Sequence, residues 1–294
     1  MKIVNPISSI ENQLFKVVEH QLIPNTNDGN FENPTVRGLY KSTGGQPLGV
    51  LGKNFNLIQP QTLFDNLIKC VGEIKNLNVD SLSYRELKGG SKIQFRVQLD
   101  PISFVNRAKK VDDIETFATL TTGYDGFTKT SFNFETFRLW CDNGCSHLDQ
   151  KVSVSVKNTV NNETTIVNLC NDLSKLIKST SDRGEWFKYL DGIDLNELKK
   201  QRVIKAAVGF NAYDKKAGEL SKARLFTLKE IETSIEKEIK DHGASLWSLF
   251  NGITRYTSHG GRSKDEQGRI DYMFVGAGAK LNLRAERELV NLTK

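Results

Sequence analysis

Histidine and cysteine are scarce in this chain, four of each in 294 residues, and the scarcity limits the chemistry open to it. The paired Cys-x-x-Cys knuckles of structural zinc sites are absent. Also absent are a Walker-type phosphate loop, a His-Glu-x-x-His helix and a Gly-x-Ser-x-Gly elbow. No apolar run approaches the ~20 residues needed to span a bilayer, so no membrane partner is expected. Met1 to Pro6 lacks the charged-then-apolar pattern of a secretory leader. The expectation is a protein that stays in a cytoplasm with its cysteines reduced. Internal repeats and low-complexity linkers are missing too.

What is present points to a folded protein with a real core: 38% hydrophobic and 26% charged residues. The net charge of +6 is unevenly placed. Residues 1–150 carry 16 basic and 16 acidic side chains, whereas residues 151–294 carry 25 basic against 19 acidic. A basic half suits a polyanionic partner through phosphate neutralisation and counterion release.

Residues 1–35 read as an irregular, partly helical arm in which Ile10, Leu14, Val17 and Val18 have helical spacing. A hairpin is expected from Val36 to Phe55 around Gly44-Gly45, then a short amphipathic helix from Pro60 to Val71 with Cys70 as a core thiol. Strands follow at Leu82–Leu87 and Lys92–Leu99. In the second, Ile93, Phe95, Val97 and Leu99 alternate with Lys92, Gln94, Arg96 and Gln98, which places a basic-polar face opposite the core. Thr116–Tyr124 and Thr128–Trp140 form a further hairpin around Asp125-Gly126, and Asn143-Gly144 reads as a tight turn closing the sheet. After a last strand at Lys151–Thr159, helices are expected from Asn162, from about Asp194, from a capping box at Thr227, over Ser245–Tyr256 and over Lys280–Leu292. An aromatic cluster, Trp186 to Leu190, precedes the second of these, and Gly260 to Asp265 reads as an exposed loop. The fold class is α+β: an antiparallel sheet core, built of β-hairpins with a helix–three-strand–helix centre, followed by a mainly helical C-terminal half. The organisation is an arm (1–35), a main domain (36–260) that is sheet-rich to about 160, and a C-terminal loop and helix (261–294).

Candidate chemistry is sparse. Cys141, Cys145 and His147 offer zinc-type ligands, against the plainer reading as core or loop side chains. No metal and no cofactor is assigned, and no catalytic residue is named. Asp112-Asp113 and Asp265-Glu266 read as solvated loop charges. The nucleic-acid reading has more parts. Arg85, Lys88, Lys92 and Arg96 lie on or beside one hairpin, Arg138 precedes the cysteine motif, and Lys151 and Lys157 follow it at even spacing. Such a basic sheet face tracks a phosphate backbone without reading bases.

Three stretches carry a resemblance. Arg37-Gly38-Leu39-Tyr40 with Pro47-Leu48-Gly49-Val50-Leu51-Gly52-Lys53-Asn54-Phe55 and Leu57-Ile58-Gln59-Pro60 is the first. Arg138-x-x-Cys141-x-Asn143-Gly144 is the second, and Leu246-Trp247-x-x-Phe250-Asn251-x-x-Thr254 the third. Together they resemble the phage/plasmid-like proteins that carry the domain of unknown function nine-three-two. Where many relatives have a histidine-threonine pair downstream of the second motif, this chain has Lys157-Asn158-Thr159. The resemblance implies a phage or mobile-element context inside a bacterial host. The helix, three strands, helix order is also similar in architecture to the core of single-strand annealing recombinases, which form rings and bind DNA along a basic groove.

The functional expectation is a phage- or mobile-element-encoded protein that binds single-stranded DNA, acts in annealing, recombination or replication, and forms a homo-oligomer. The rival expectation is a non-enzymatic host-takeover or counter-defence protein that binds a host protein or nucleotide. Enzymatic activity is left open.

Overall fold

The computed structural model describes residues 7–22, 36–74, 77, 79–138, 143–147, 162–209, 222–260 and 265–294. Among these, only the backbone is described at 143–147, 162–170, 172, 179, 181, 222–224 and 260. The chain forms two compact units that interleave along the sequence. The first takes Met1–Leu99, Phe117–Asn133 and Asp149–Ile177, and the second takes Asp100–Thr116, Phe134–Leu148 and Lys178–Lys294. The α+β class expected from the sequence is what the structure has.

In the first unit a short helix, α1 (Ile7–Glu11), leads into strand β1 (Val17–Gln21). The helical spacing of Val17 and Val18 is thus misleading: β1 pairs antiparallel with β2 (Val36–Lys41), which pairs with β3 (Gly49–Gly52). Val17 is anchored from elsewhere in the chain. The Gln59 side-chain amide accepts from its N–H at 3.0 Å and donates to its carbonyl at 2.9 Å, as a neighbouring strand would. Gln59 is extended ahead of Pro60, which occupies the first turn of α2 (Pro60–Glu73). That helix buries Pro60, Leu63, Phe64, Leu67, Cys70 and Val71. Cys70 is disulfide-bonded, which corrects its expected state as a reduced thiol. Pairing depends on which residues meet in space, and sequence spacing does not reveal that.

A five-stranded sheet follows in the order β4 (Ser83–Leu87), β5 (Lys92–Val105), β6 (Val111–Gly123), β7 (Ser131–Arg138), β8 (Asn143–His147). The expected three-strand centre therefore has five, and β5, β6 and β7 each give residues to both units. Alternation sets the faces. Ile93, Phe95, Val97 and Leu99 are buried, and Phe95 stacks on Phe64 of α2 with ring centroids 5.4 Å apart. Asn143-Gly144, expected as a turn, lies in β8, with Arg138 paired to Asn143 and Phe137 to Gly144. The strand expected at Lys151–Thr159 lies outside the described residues.

The second unit is helical around its share of that sheet. It comprises the end of α3 (Asn162–Gly192), then α4 (Glu197–Val208), α5 (Lys222–His242), α6 (Leu246–Arg255), α7 (Glu266–Phe274) and α8 (Ala277–Leu292). The aromatic cluster Trp186 to Leu190 lies inside α3, with Phe187 and Leu190 fully buried and Tyr189 exposed. Thr227 falls within α5 and not at its start. Gly243, at φ 85°, ends α5, where its N–H donates to the Ile239 carbonyl. Ser245 caps α6 and Asp265 caps α7, so Asp265 is a helix cap and not a bare loop charge. A π-helical turn, Tyr256–Gly260, extends α6, and α6, α7 and α8 all pack against β8. Among the described residues, no helix is long and apolar enough to cross a membrane.

Two glycines separate packing from backbone entropy. A Cβ at Gly252 would press into the backbone of Ile235, where α5 and α6 meet closely, whereas Gly72 on α2 has open space. Gly252→Ala is expected to cost about 1–3 kcal/mol through overpacking. Gly72→Ala should stabilise by up to about 1 kcal/mol through helix propensity. Shifts of opposite sign in the urea midpoint, with unchanged slopes, are the outcome to look for.

Candidate nucleic-acid interface

The turn between β4 and β5 requires an unusual backbone. Lys88, Gly89 and Gly90 take φ values of 50°, 67° and 94°. Glycine tolerates this region without penalty, and Lys88 is held in it with an exposed side chain. A Cβ at Gly90 would meet the Lys41 side chain, whose ammonium pairs with Glu86 at 2.5 Å. Next to this turn lies the one between β6 and β7, because the Tyr124 N–H donates to the Ser91 carbonyl at 2.8 Å. Tyr124 is buried and donates its hydroxyl to the Ile58 carbonyl, and burial pushes its phenol well above the usual value.

Asp125 organises this second turn. Its carboxylate accepts from the Phe127 and Thr128 N–H groups at 3.0 and 2.8 Å and from the Thr128 hydroxyl at 2.8 Å. The Lys92 ammonium stands 3.4 Å away. Burial alone would raise the Asp125 carboxyl, but the Thr128 and Phe127 donors and Lys92 outweigh it and hold it below its ordinary value. Gly126 has φ 78°, and a Cβ there would lie 2.5 Å from Leu51, while one on Gly49 would collide with the Tyr124 carbonyl oxygen. β3 and the two turns therefore interlock. Lys88 sits in the first turn and Lys129 follows the second, Lys53 follows β3 in sequence, and Lys41 and Lys92 pair with the turn carboxylates Glu86 and Asp125.

Arg85 and Arg96 lie beside this region on one face of the β4–β5 hairpin, where Arg85 opposes Gln94 and Arg96 opposes Ser83. Both are half-buried. Arg85 donates to Gln94 at 2.5 Å, Gln94 donates to Thr121 at 2.9 Å, and the Arg96 guanidinium lies 3.9 Å over the Phe117 ring. The opposite face carries Tyr84 and Phe95 into the core. The first unit thus brings together Arg85, Lys88, Lys92 and Arg96 of the expected site residues. Phe95 and Tyr84, considered as base-stacking aromatics, are core side chains.

Arg138 is placed differently. It belongs to the second unit and is buried, 3% exposed. Its Nε and Nη2 donate to the two carboxylate oxygens of Asp112 and its Nη1 donates to Glu238 at 2.6 Å. Asp112 also accepts from Trp247 Nε1 at 2.9 Å, and Glu238 from Arg255 at 3.1 Å. Asp112 is 1% exposed, which corrects its reading as a solvated charge; Asp113 is exposed and accepts from Ser103. Arg138 therefore joins strands to helices and does not stand on an open basic surface.

His242 borders this cluster and is buried. Asn106 Oδ1 accepts from the Ala108 and Lys110 N–H groups, which turns its amide nitrogen to donate to His242 Nδ1 at 3.0 Å. The imidazole proton therefore sits on Nε2, 3.9 Å from Glu238. Burial first, and then the Arg138 charge and Lys110, hold His242 below its ordinary 6.5, against the opposing pull of Glu238 and Asp112.

Lys151, Lys157 and Cys141 lie outside the described residues, as do the side chains of Cys145 and His147 on β8. Among the described residues no group of three His, Cys, Asp or Glu side chains is arranged to hold a metal.

An α+β chain of this kind, with a lysine-edged loop cluster and an ion-paired core, has a family. The model of a domain of unknown function (DUF932) matches residues 47–274, and the chain belongs to that family. No curated protein and no solved structure matches it.

Arg138→Met leaves Asp112 and Glu238 buried without their main cation, and an expected loss of about 3–5 kcal/mol is readable by urea denaturation. His242 sets a pH dependence. With its folded value below the unfolded one, it contributes stability fully above about pH 6.5 and loses it as pH falls through the depressed value. The melting temperature should drop as pH falls below about 6.5, and His242→Gln should flatten that drop.

Proposed function

We propose that this protein binds single-stranded DNA in a phage or mobile-element context, working as a homo-oligomer in annealing, recombination or replication. One observation carries the reading: Lys41, Lys88, Lys92 and Lys129 belong to the strands and turns that interlock in the first unit, where Lys41 pairs with Glu86 and Lys92 with Asp125, beside the Arg85–Arg96 face. The turns are fixed by backbone hydrogen bonds and close glycine contacts, so the backbone that carries the lysines is set before a ligand arrives. Preorganisation lowers the ordering cost of binding. Lysines are point charges and read a backbone without reading sequence, which suits annealing of any complementary strands. The half-buried arginines are already engaged with Gln94 and Phe117. The phage setting rests on the motif resemblance. Arg138 has no part in phosphate contact on this reading.

Titration of a labelled oligothymidine against the protein across a salt series tests the proposal. Affinity should fall linearly in log–log form, and Lys88→Ala should reduce the slope by about 0.7 for each phosphate that Lys88 neutralises. Absence of binding at low salt would sink the reading.

A further inference from the structure

Phe127 is the most exposed large apolar side chain among the described residues, at 93%. An isolated exposed apolar residue is ordinary on a protein surface, but this one is held in a built setting. The Asp125 carboxylate accepts from the Phe127 N–H and from two donors of Thr128, so the residues on either side of the ring are fixed. Gly126 reaches its positive φ against Leu51, and Gly49 lies against the backbone of Tyr124 and Asp125. The ring therefore projects from a rigid tip into solvent. Lys92 pairs with Asp125, two residues before the ring in sequence, and the exposed Lys129 follows two residues after it.

We infer that Phe127 is a stacking platform for an unpaired base, with the neighbouring lysines holding the phosphates on either side. The inference rests on the single-stranded nucleic acid reading above and adds a residue and a contact type to it. An aromatic face next to cations fits a single strand, whose bases are free to turn outward and stack irrespective of sequence. A duplex keeps its bases stacked on one another, so it offers the ring no comparable partner.

The test uses the full-length protein, a fluorescein-labelled oligothymidine and anisotropy at several salt concentrations. Because Phe127 is solvent-exposed, Phe127→Ala should keep the melting temperature of the parent. Its affinity should fall roughly 5- to 100-fold, with the salt slope unchanged, since stacking releases no counterions. Phe127→Trp should retain affinity and Phe127→Leu should not. If Phe127→Ala binds within about twofold of the parent, or Phe127→Leu binds as well as Phe127→Trp, the stacking role is overturned while the phosphate-binding reading stands. Loss of binding to anionic phospholipid vesicles in Phe127→Ala, with DNA binding intact, would assign the tip to a membrane surface and overturn the inference. If the parent protein binds no oligothymidine at low salt, both the inference and the reading beneath it fail.

Discussion

The guanidinium of Arg138 is the interaction on which the second unit depends. A buried arginine cannot shed its proton, so its charge must be met where it stands. Asp112 meets it through both carboxylate oxygens and Glu238 meets the remaining edge. Those partners come from β6 and α5, while Arg138 comes from β7. Trp247 of α6 then bonds to Asp112, and Arg255 at the far end of α6 bonds to Glu238. Two strands and two helices are thereby fixed in one register by polar groups with definite geometry. Apolar packing around Trp247, with Phe187 and Phe104 against its ring, supplies the driving force.

The same unit extends this logic to its loops. Arg107 donates to the Asp191 and Ala244 carbonyls and to Asp194, and Asp191 accepts from the Arg107 N–H and from Ser245. Asn106 spends its amide on two backbone N–H groups and on His242. The hairpin end between β5 and β6 is thus a structural clasp. The turns of the first unit are also tightly bonded, yet they leave Lys88, Lys129 and Phe127 facing solvent. A rigid scaffold with chemistry left at its loop tips is the usual arrangement of a binding site.

Alternation made β5 and its two faces legible, because a strand buried on one side must repeat every two residues. The hairpin at Asp125-Gly126 was legible from its turn residues. Other features were not. Val17 and Val18 fit a helical spacing, and their strand is decided by β2 and by the distant Gln59 amide, both tertiary effects. Thr227-Leu228-Lys229-Glu230 has capping-box spacing but lies in a helix that starts earlier, and a local motif cannot report what precedes it. Arg138 and Asp112 look like surface charges because each is ionic, and their burial follows from meeting each other, 26 residues apart. Asp125-Gly126 marks a turn in the sequence without revealing that the Asp125 carboxylate presents Phe127. An Asp at the first turn position with a donor two residues on was the available signal.

Charge along the chain and charge across the fold tell different stories. All of the net +6 falls in residues 151–294, which directs attention to the helical half. In that half Arg183 meets Glu286, Arg202 meets Glu288 and Arg255 meets Glu238. Each of these pairs cancels within itself and leaves the +6 of the segment in place. Residues 1–150 are neutral as a segment, yet Lys88 and Lys92 lie at or beside one turn and Lys129 beside another, with Lys41 and Lys92 paired to Glu86 and Asp125, while Asp112 lies beside Arg138. A polyanion responds to local excess and not to the sum over a segment. On the proposed reading, the contacts that matter fall in the half of the chain that is neutral as a segment.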